Sequence, residues 1–166
     1  VTSQGDVVQL ANLNCPGQIV ISGTKQGVEK ASVQAKEAGA KRAIPLVVSG
    51  PFHSELMRPA ASKLQQALDQ LELHNTDVPV ISNVTASPVT TAEEMKELLV
   101  QQLYSPVRVE ESIRALMDLG VNTFIECGTG KVLSGLVKKI DRSAVIYAAY
   151  DLESIEQVIE ASKEWA

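Results

Sequence analysis

Val47-Val48-Ser49-Gly50-Pro51-Phe52-His53-Ser54-Glu55-Leu56-Met57-Arg58-Pro59 decides how the chain is read. A run of β-formers leads in, Gly50-Pro51 breaks the strand, and His53 stands at the turn before a helical pattern. A loop at the end of a strand, held by rigid elements on both sides, is where a fold presents a side chain to a substrate. Pro59 suits the first position of a helix, because in the interior it would remove a hydrogen bond and clash. Ala60, Leu64, Ala67, Leu68 and Leu71 recur with the spacing of one helical face. Neutral imidazole accepts a proton near pH 7, so His53 is a candidate general base. A histidine that only satisfies local hydrogen bonds would have the same sequence context. The second histidine, His74, lies in polar Leu73-His74-Asn75-Thr76 and reads as a solvated loop residue.

Upstream, residues 7–12 read as a strand, Asn14-Cys15-Pro16-Gly17 as a turn and residues 18–22 as a second strand, together a hairpin. Thr24 is placed to cap a helix carrying Val28, Ala31, Ala35 and Ala38, with Gly39 at its C′ position. Residues 43–48 read as a strand again. Strand, strand, helix, strand is about two thirds of a split βαβ unit. Downstream, residues 79–82 read as a short strand. Thr91 and Glu94 have capping-box spacing ahead of a helix lined by Met95, Leu98, Leu99 and Leu103 and ended by Ser105-Pro106. Ile113, Leu116 and Met117 mark a further helix closed by Gly120. Residues 123–126 read as a strand, Val132 to Ile140 as a helix, residues 144–149 as a last strand, and Asp151 as the cap of a terminal helix to about Lys163. Alternating helices and short apolar strands predict an α/β layer structure with a mainly parallel sheet, and a seam near residues 45–51.

Of the 166 residues, 45% are hydrophobic and 21% charged, with a net charge of −5. That suits a soluble globular chain with no membrane span, and weighs against a nucleic-acid partner. The two cysteines, Cys15 and Cys127, lack metal-ligand spacing, so they read as reduced, partly buried thiols of a cytoplasmic protein without a metal site. The chain opens on Val1 and a polar segment, as the middle of a longer or processed chain would.

No serine sits in a Gly-x-Ser-x-Gly elbow, so the chain offers a base without a convincing nucleophile. A hydrolase using Ser49 or Ser54 with His53 would need poor geometry on one turn. Gly128-Thr129-Gly130-Lys131 opens a helix after a strand. It fits either a phosphate cradle or, more simply, a tight turn needing positive φ. It lacks the spacing of a P-loop or dinucleotide fingerprint. Asn12, Asn14 and Gln18 bracket a Pro-Gly turn and can be turn chemistry alone. Lys41-Arg42 and Lys138-Lys139 are basic pairs on an acidic chain, either simply solvated or a patch for an acidic partner.

Five motifs then occur in one order: residues 12–23 (Asn-Leu-Asn-Cys-Pro-Gly-Gln-Ile-Val-Ile-Ser-Gly), 39–42 (Gly-Ala-Lys-Arg), 50–53 (Gly-Pro-Phe-His), 102–107 (Gln-Leu-Tyr-Ser-Pro-Val) and 126–136 (Glu-Cys-Gly-Thr-Gly-Lys-Val-Leu-Ser-Gly-Leu). Together they resemble the C-terminal half of bacterial malonyl-CoA:acyl carrier protein transacylases of type II fatty acid synthesis, over nearly the whole chain to about Ile140. The resemblance implies residues 1–47 as the second part of a small ferredoxin-like subdomain and residues 48–166 as the C-terminal part of an α/β-hydrolase-like catalytic domain. It implies ping-pong transfer of malonyl from coenzyme A to the carrier-protein thiol through a serine ester, with no cofactor beyond coenzyme A as part of the substrate.

In that resemblance His53 is the base and the carbonyl of Gln102 orients it. Phe52 matches a position associated with malonyl selection, where a bulky ring leaves little room for an α-methyl, worth ~1–3 kcal/mol. Asn14 and Gln18 are substrate-side candidates, and Lys41, Arg42 and Lys138 are docking candidates for the acidic carrier protein. Thr129 stands where the family usually has proline and Cys127 where it has an aliphatic residue. The serine elbow, the oxyanion loop and the arginine that clamps the malonyl carboxylate have no counterpart in the sequence. The lone chain is therefore expected to be inactive unless a complementing N-terminal chain is supplied. The alternative is a non-catalytic fragment or a carrier-protein-binding module.

Overall fold

The computed structural model describes residues 5–165. The chain separates into two compact units, residues 1–14 with 18–109, and residues 15–17 with 110–166. Among the described residues it forms three two-stranded sheets and six α-helices.

In the first unit, β1 (Val8–Cys15) and β2 (Gln18–Gly23) pair as a hairpin. A two-residue connection can only join antiparallel strands. Strand pairing runs on to Cys15, so the turn shrinks to Pro16-Gly17, with Gly17 at φ 78°. Helix α1 (Lys25–Glu37) starts where Thr24 Oγ1 accepts from the Gly27 amide at 3.1 Å. A Cβ on Gly27 would lie 2.6 Å from the Val7 carbonyl oxygen, so only glycine lets the backbone just before β1 approach the helix this closely. The helix ends in a full Schellman motif. The Gly39 amide donates to the Lys36 carbonyl and that of Ala40 to the Ala35 carbonyl, with Gly39 left-handed as its C′ placement predicted.

Residues 43–48 depart from expectation: they form no strand. Their composition is right, but a strand exists only by pairing, and among the described residues no strand pairs with them. Pro45 also cannot donate to a ladder, so any pairing stretch must begin after it. Beyond the His53 turn, a 3-10 turn (Glu55–Met57) runs into α2 (Arg58–Asp69), with Pro59 in its first turn as expected. Strand β3 (Val80–Ile81) pairs antiparallel with β4 (Pro88–Val89), a strand the sequence pattern did not reveal. Helix α3 (Ala92–Gln101) starts with the Thr91 hydroxyl accepting from the Glu94 amide, the first half of the expected capping box. It packs on α2, burying Leu68 and Val100. It stops at Gln101, earlier than Ser105-Pro106 suggested.

The chain then returns to β1. Val107 forms a parallel bridge with Asn12, the Val107 amide donating to Ala11 and the Leu13 amide to Val107, both at 2.8 Å. β1 therefore braces the segment that follows α3.

The second unit begins with most of α4 (Val109–Asp118), closed by a second Schellman motif at Gly120. It continues with β5 (Thr123–Cys127), α5 (Val132–Ile140), β6 (Val145–Ala149) and α6 (Leu152–Ser162). β5 and β6 are parallel, from Thr123 opposite Val145 to Cys127 opposite Ala149. Leu136, Val137 and Ile140 bury one face of α5, as the spacing predicted. Asp151 caps α6 through a capping box with Ser154. Among the described residues the expected mainly parallel sheet comes down to one parallel pair of strands, β5–β6; β3 and β4 pair antiparallel and β1 and β2 form a hairpin. Cys15 is buried but Cys127 is exposed, against the expectation that both would be partly buried. Among the described residues no helix is long and apolar enough to cross a membrane.

Candidate functional site

The last carbonyls of any α-helix lack partners within the helix and carry partial negative charge. At the end of α3 the His53 loop supplies donors. The His53 amide donates to the Leu103 carbonyl at 3.0 Å, and its Nδ1 bonds the Gln102 carbonyl at 2.8 Å. A carbonyl can only accept, so Nδ1 carries the proton. Nε2 of the neutral ring is left as the acceptor, the state a general base requires. The structure thus joins His53 to Gln102, the two residues predicted as catalytic. Gln102 engages the ring through its backbone carbonyl, which Pro106, lacking an amide proton, leaves without a helical donor.

Holding that geometry requires strained backbone. His53 has φ 59°, in the left-handed region. A non-glycine residue there costs about 1–2 kcal/mol, though histidine tolerates it better than most. Ser54 secures the turn: it is fully buried, and its hydroxyl donates to the Pro51 carbonyl at 2.7 Å. That engagement removes Ser54 as a nucleophile. Among the described residues no hydroxyl bonds Nε2, so the hydrolase alternative has no nucleophile beside the base.

Three supports were not legible beforehand. Gln9 on β1 accepts from the Glu55 amide at 2.6 Å, tying the histidine turn to the strand that also braces Val107. Asn83 donates to the Gln102 side-chain carbonyl at 3.3 Å. Arg58 forks onto Glu55, at 2.6 and 2.7 Å, and lies 3.9 Å over the Tyr104 ring. The hydrogen bond from Arg58 holds the Glu55 carboxyl below its usual range. The only signal for this last pair was an arginine beside the histidine turn and a tyrosine in Gln-Leu-Tyr.

Phe52 is 45% exposed beside His53, and its ring would touch a Cβ at Gly50 at 3.6 Å. Asn14 lies near the end of β1 and Gln18 opens β2, both on the hairpin and apart from the His53–Gln102 bond. Lys41 and Arg42 are exposed in the loop after α1, without a hydrogen bond or ion pair among the described residues. Lys138 is engaged: its ammonium donates to the carbonyls of Arg142, at 3.2 Å, and Ala144, at 2.6 Å.

The Gly128–Lys131 turn resolves in favour of simple turn chemistry. Gly128 and Gly130 take φ 132° and 91°. The N-terminus of α5, where a phosphate would sit, holds the chain's own Glu126 carboxylate. It accepts from the Leu133 amide at 3.0 Å, and from the Ser134 amide and hydroxyl at 2.7 and 2.5 Å. Burial pushes the Glu126 carboxyl up, but the Ser134 hydroxyl and the helix amides outweigh it and hold it below its usual range.

A family model for the acyl transferase domain matches residues 2–156, so the chain belongs to the acyl transferase domain family. It is 63% identical over 164 residues to the malonyl CoA-acyl carrier protein transacylase of Bacillus subtilis (strain 168), covering 99% of this chain and 52% of that protein. It is 44% identical over 156 residues to the Staphylococcus aureus (strain COL) protein of the same name, covering 94% and 51%. Among solved structures, an acyl-carrier-protein S-malonyltransferase from Burkholderia pseudomallei 1710b matches with TM-score 0.91 at 42% identity, covering 95% of this chain and 52% of that one. A malonyl-transacylase solved in complex with a type II polyketide synthase acyl-carrier protein matches with TM-score 0.92 at 42% identity, covering 96% and 52%. The resemblance carried by the five motifs is therefore borne out. The chain spans about half the length of the curated relatives it matches.

Two outcomes follow from this geometry. Nitrogen-detected NMR of the neutral His53 ring should show a protonated Nδ1 and a bare Nε2; the opposite tautomer would contradict the carbonyl bond. Glu126, with a lowered folded value, contributes stability that is present above the ordinary carboxylate pKa near 4.5 and is lost as pH falls through the lowered one. Glu126→Gln should therefore lower the thermal midpoint at neutral pH, and the gap to the native chain should close as pH drops below that range. A gap independent of pH would refute the assignment.

Proposed function

We propose that this chain supplies the histidine half of a malonyl-CoA:acyl carrier protein transacylase. The observation that carries this is the Nδ1–H bond from His53 to the Gln102 carbonyl, which leaves Nε2 as a free base. Nε2 takes the proton of a serine hydroxyl as its oxygen attacks the malonyl thioester, then returns it to the departing coenzyme A thiol. In the second half-reaction it deprotonates the carrier protein's thiol, which takes malonyl from the serine ester. The serine comes from the part of the fold this chain does not match. Where that part is absent the chain is inactive; where it arrives as a separate polypeptide, that polypeptide is a partner.

On the same reading, residues 1–47 belong to a ferredoxin-like subdomain and residues 48–166 to an α/β-hydrolase-like domain. The reaction runs in the cytoplasm without metal or redox cofactor, coenzyme A entering only with the substrate. Phe52 beside the base disfavours an α-methyl branch, and Asn14 and Gln18 lie toward the substrate. Lys41 and Arg42, exposed and uncommitted, are the stronger docking residues for an acidic carrier protein. Lys138 is the weaker, since its ammonium already closes the loop after α5.

A chimera tests this directly: this chain replaces the matching half of the Bacillus subtilis relative in one polypeptide. It should move malonyl from coenzyme A to carrier protein, and His53→Ala should lower kcat by about 100–10,000-fold. A chimera whose rate ignores His53→Ala would sink the reading. In the same chimera, Lys41→Glu with Arg42→Glu should raise the KM for carrier protein several-fold at low salt and leave kcat alone. An unchanged KM would remove the docking assignment.

A further inference from the structure

Between β3 and β4 the chain turns through Ser82-Asn83-Val84-Thr85-Ala86-Ser87, a turn more ordered than two strands of two residues each require. The Ala86 amide donates to the Ser82 carbonyl at 2.8 Å, the Ser82 amide to the Ser87 carbonyl at 3.0 Å, and the Val84 amide to the Ser82 hydroxyl at 3.2 Å. Ala86 is buried and left-handed, at φ 53°. Alanine has no polar side chain to ease that conformation, so the surrounding fold holds it there. Among the described residues His53 is the only other non-glycine with positive φ. Both strained residues sit in loops that converge on the end of α3. Asn83 Nδ2 donates to the Gln102 side-chain oxygen at 3.3 Å. The Arg108 amide donates to the Asn83 carbonyl at 3.2 Å, and Arg108 Nη1 to the Val84 carbonyl at 3.1 Å. The turn therefore grips both ends of residues 102–108, and Asn83 takes part at each, all within the first unit.

We propose that Asn83 is a positioning residue for His53: by holding the Gln102 side chain it fixes the direction of the Gln102 carbonyl that bonds Nδ1. The helix does not fix that carbonyl, because Pro106 offers it no amide proton. With Oε1 anchored, the torsions that join the side chain to its own backbone are restrained, and the carbonyl keeps its aim at the ring. The arrangement also gives glutamine a purpose at 102. A main-chain carbonyl alone would accept almost any residue there, whereas the Asn83 bond asks for a side-chain acceptor of this reach. An exposed hydrogen bond adds little to global stability, so its use lies in placement. The share of Asn83 in catalysis rests on the reading of His53 as the base; the grip on Gln102 does not.

The test reads the His53 ring by nitrogen-detected NMR of the full chain, and turnover in the Bacillus subtilis chimera. Asn83 is exposed, so Asn83→Ala should keep the fold. It should raise the Nε2–H share of the neutral ring about fivefold and lower kcat about tenfold, with the KM for malonyl-CoA unchanged. Gln102→Met keeps the main-chain carbonyl and loses the side-chain acceptor, so it should have the same effect. The two changes together should do no more than either alone, because both cut one link. Thr76→Ala is the control: its hydroxyl bonds only the amide and carbonyl of Val78, ahead of β3. It should loosen the hairpin and leave the tautomer ratio and kcat at native values. An unchanged ratio in Asn83→Ala, fully additive losses in the double variant, or the same change in Thr76→Ala would overturn the proposal. An altered ratio with unaltered kcat would keep the grip and count against His53 as the base. A chimera without activity would also count against that reading, while the ring signal would still decide for or against Asn83.

Discussion

The geometry of the site rests on one hydrogen bond, from Nδ1 of His53 to the Gln102 carbonyl. It meets two needs at once: α3 has an orphan carbonyl at its end, and a basic histidine has a tautomer to be fixed. Everything nearby serves this bond. Left-handed His53 aims the ring, Ser54 staples the turn beneath it, and β1 braces both sides through Gln9 and through Ala11 and Leu13. A carboxylate in place of the Gln102 carbonyl would orient the ring equally well but would add a full charge beside it. A helix-terminal carbonyl does the same work with a partial charge and no titration of its own.

Local rules read well from the sequence. Thr24, Gly39, Gly120 and Asp151 were identifiable as caps because a cap depends on a few neighbouring residues and one φ angle. The apolar face of α5 was legible for the same reason. The His53–Gln102 pair was not legible from spacing, since 49 positions separate its members; only the ordered motifs joined them.

What failed to read depends on distant partners. Residues 43–48 have strand composition, but composition cannot supply a neighbour. β4 consists of Pro88 and Val89 alone and takes its identity from β3. The end of α3 was misplaced because the last turn, Leu103 to Val100 and Tyr104 to Gln101, tightens to i→i−3 bonds before Pro106 is reached. Glu126 looked like an ordinary strand residue, yet it occupies the helix N-terminus that a glycine-rich turn would otherwise offer to an anion.

The two main polar anchors of the chain also differ in the time they take to form. Glu126 reaches Ser134 across 8 positions, whereas His53 reaches Gln102 across 49. Loop-closure entropy makes the longer closure dearer by roughly 1.5 kcal/mol. The β5–α5 corner can therefore assemble early, from contacts within one supersecondary unit. The histidine corner must wait for α2, β3, β4 and α3 to be in place. The aim of the imidazole thus depends on every element folded between residues 53 and 102, whereas the Glu126 anchor depends only on its own corner.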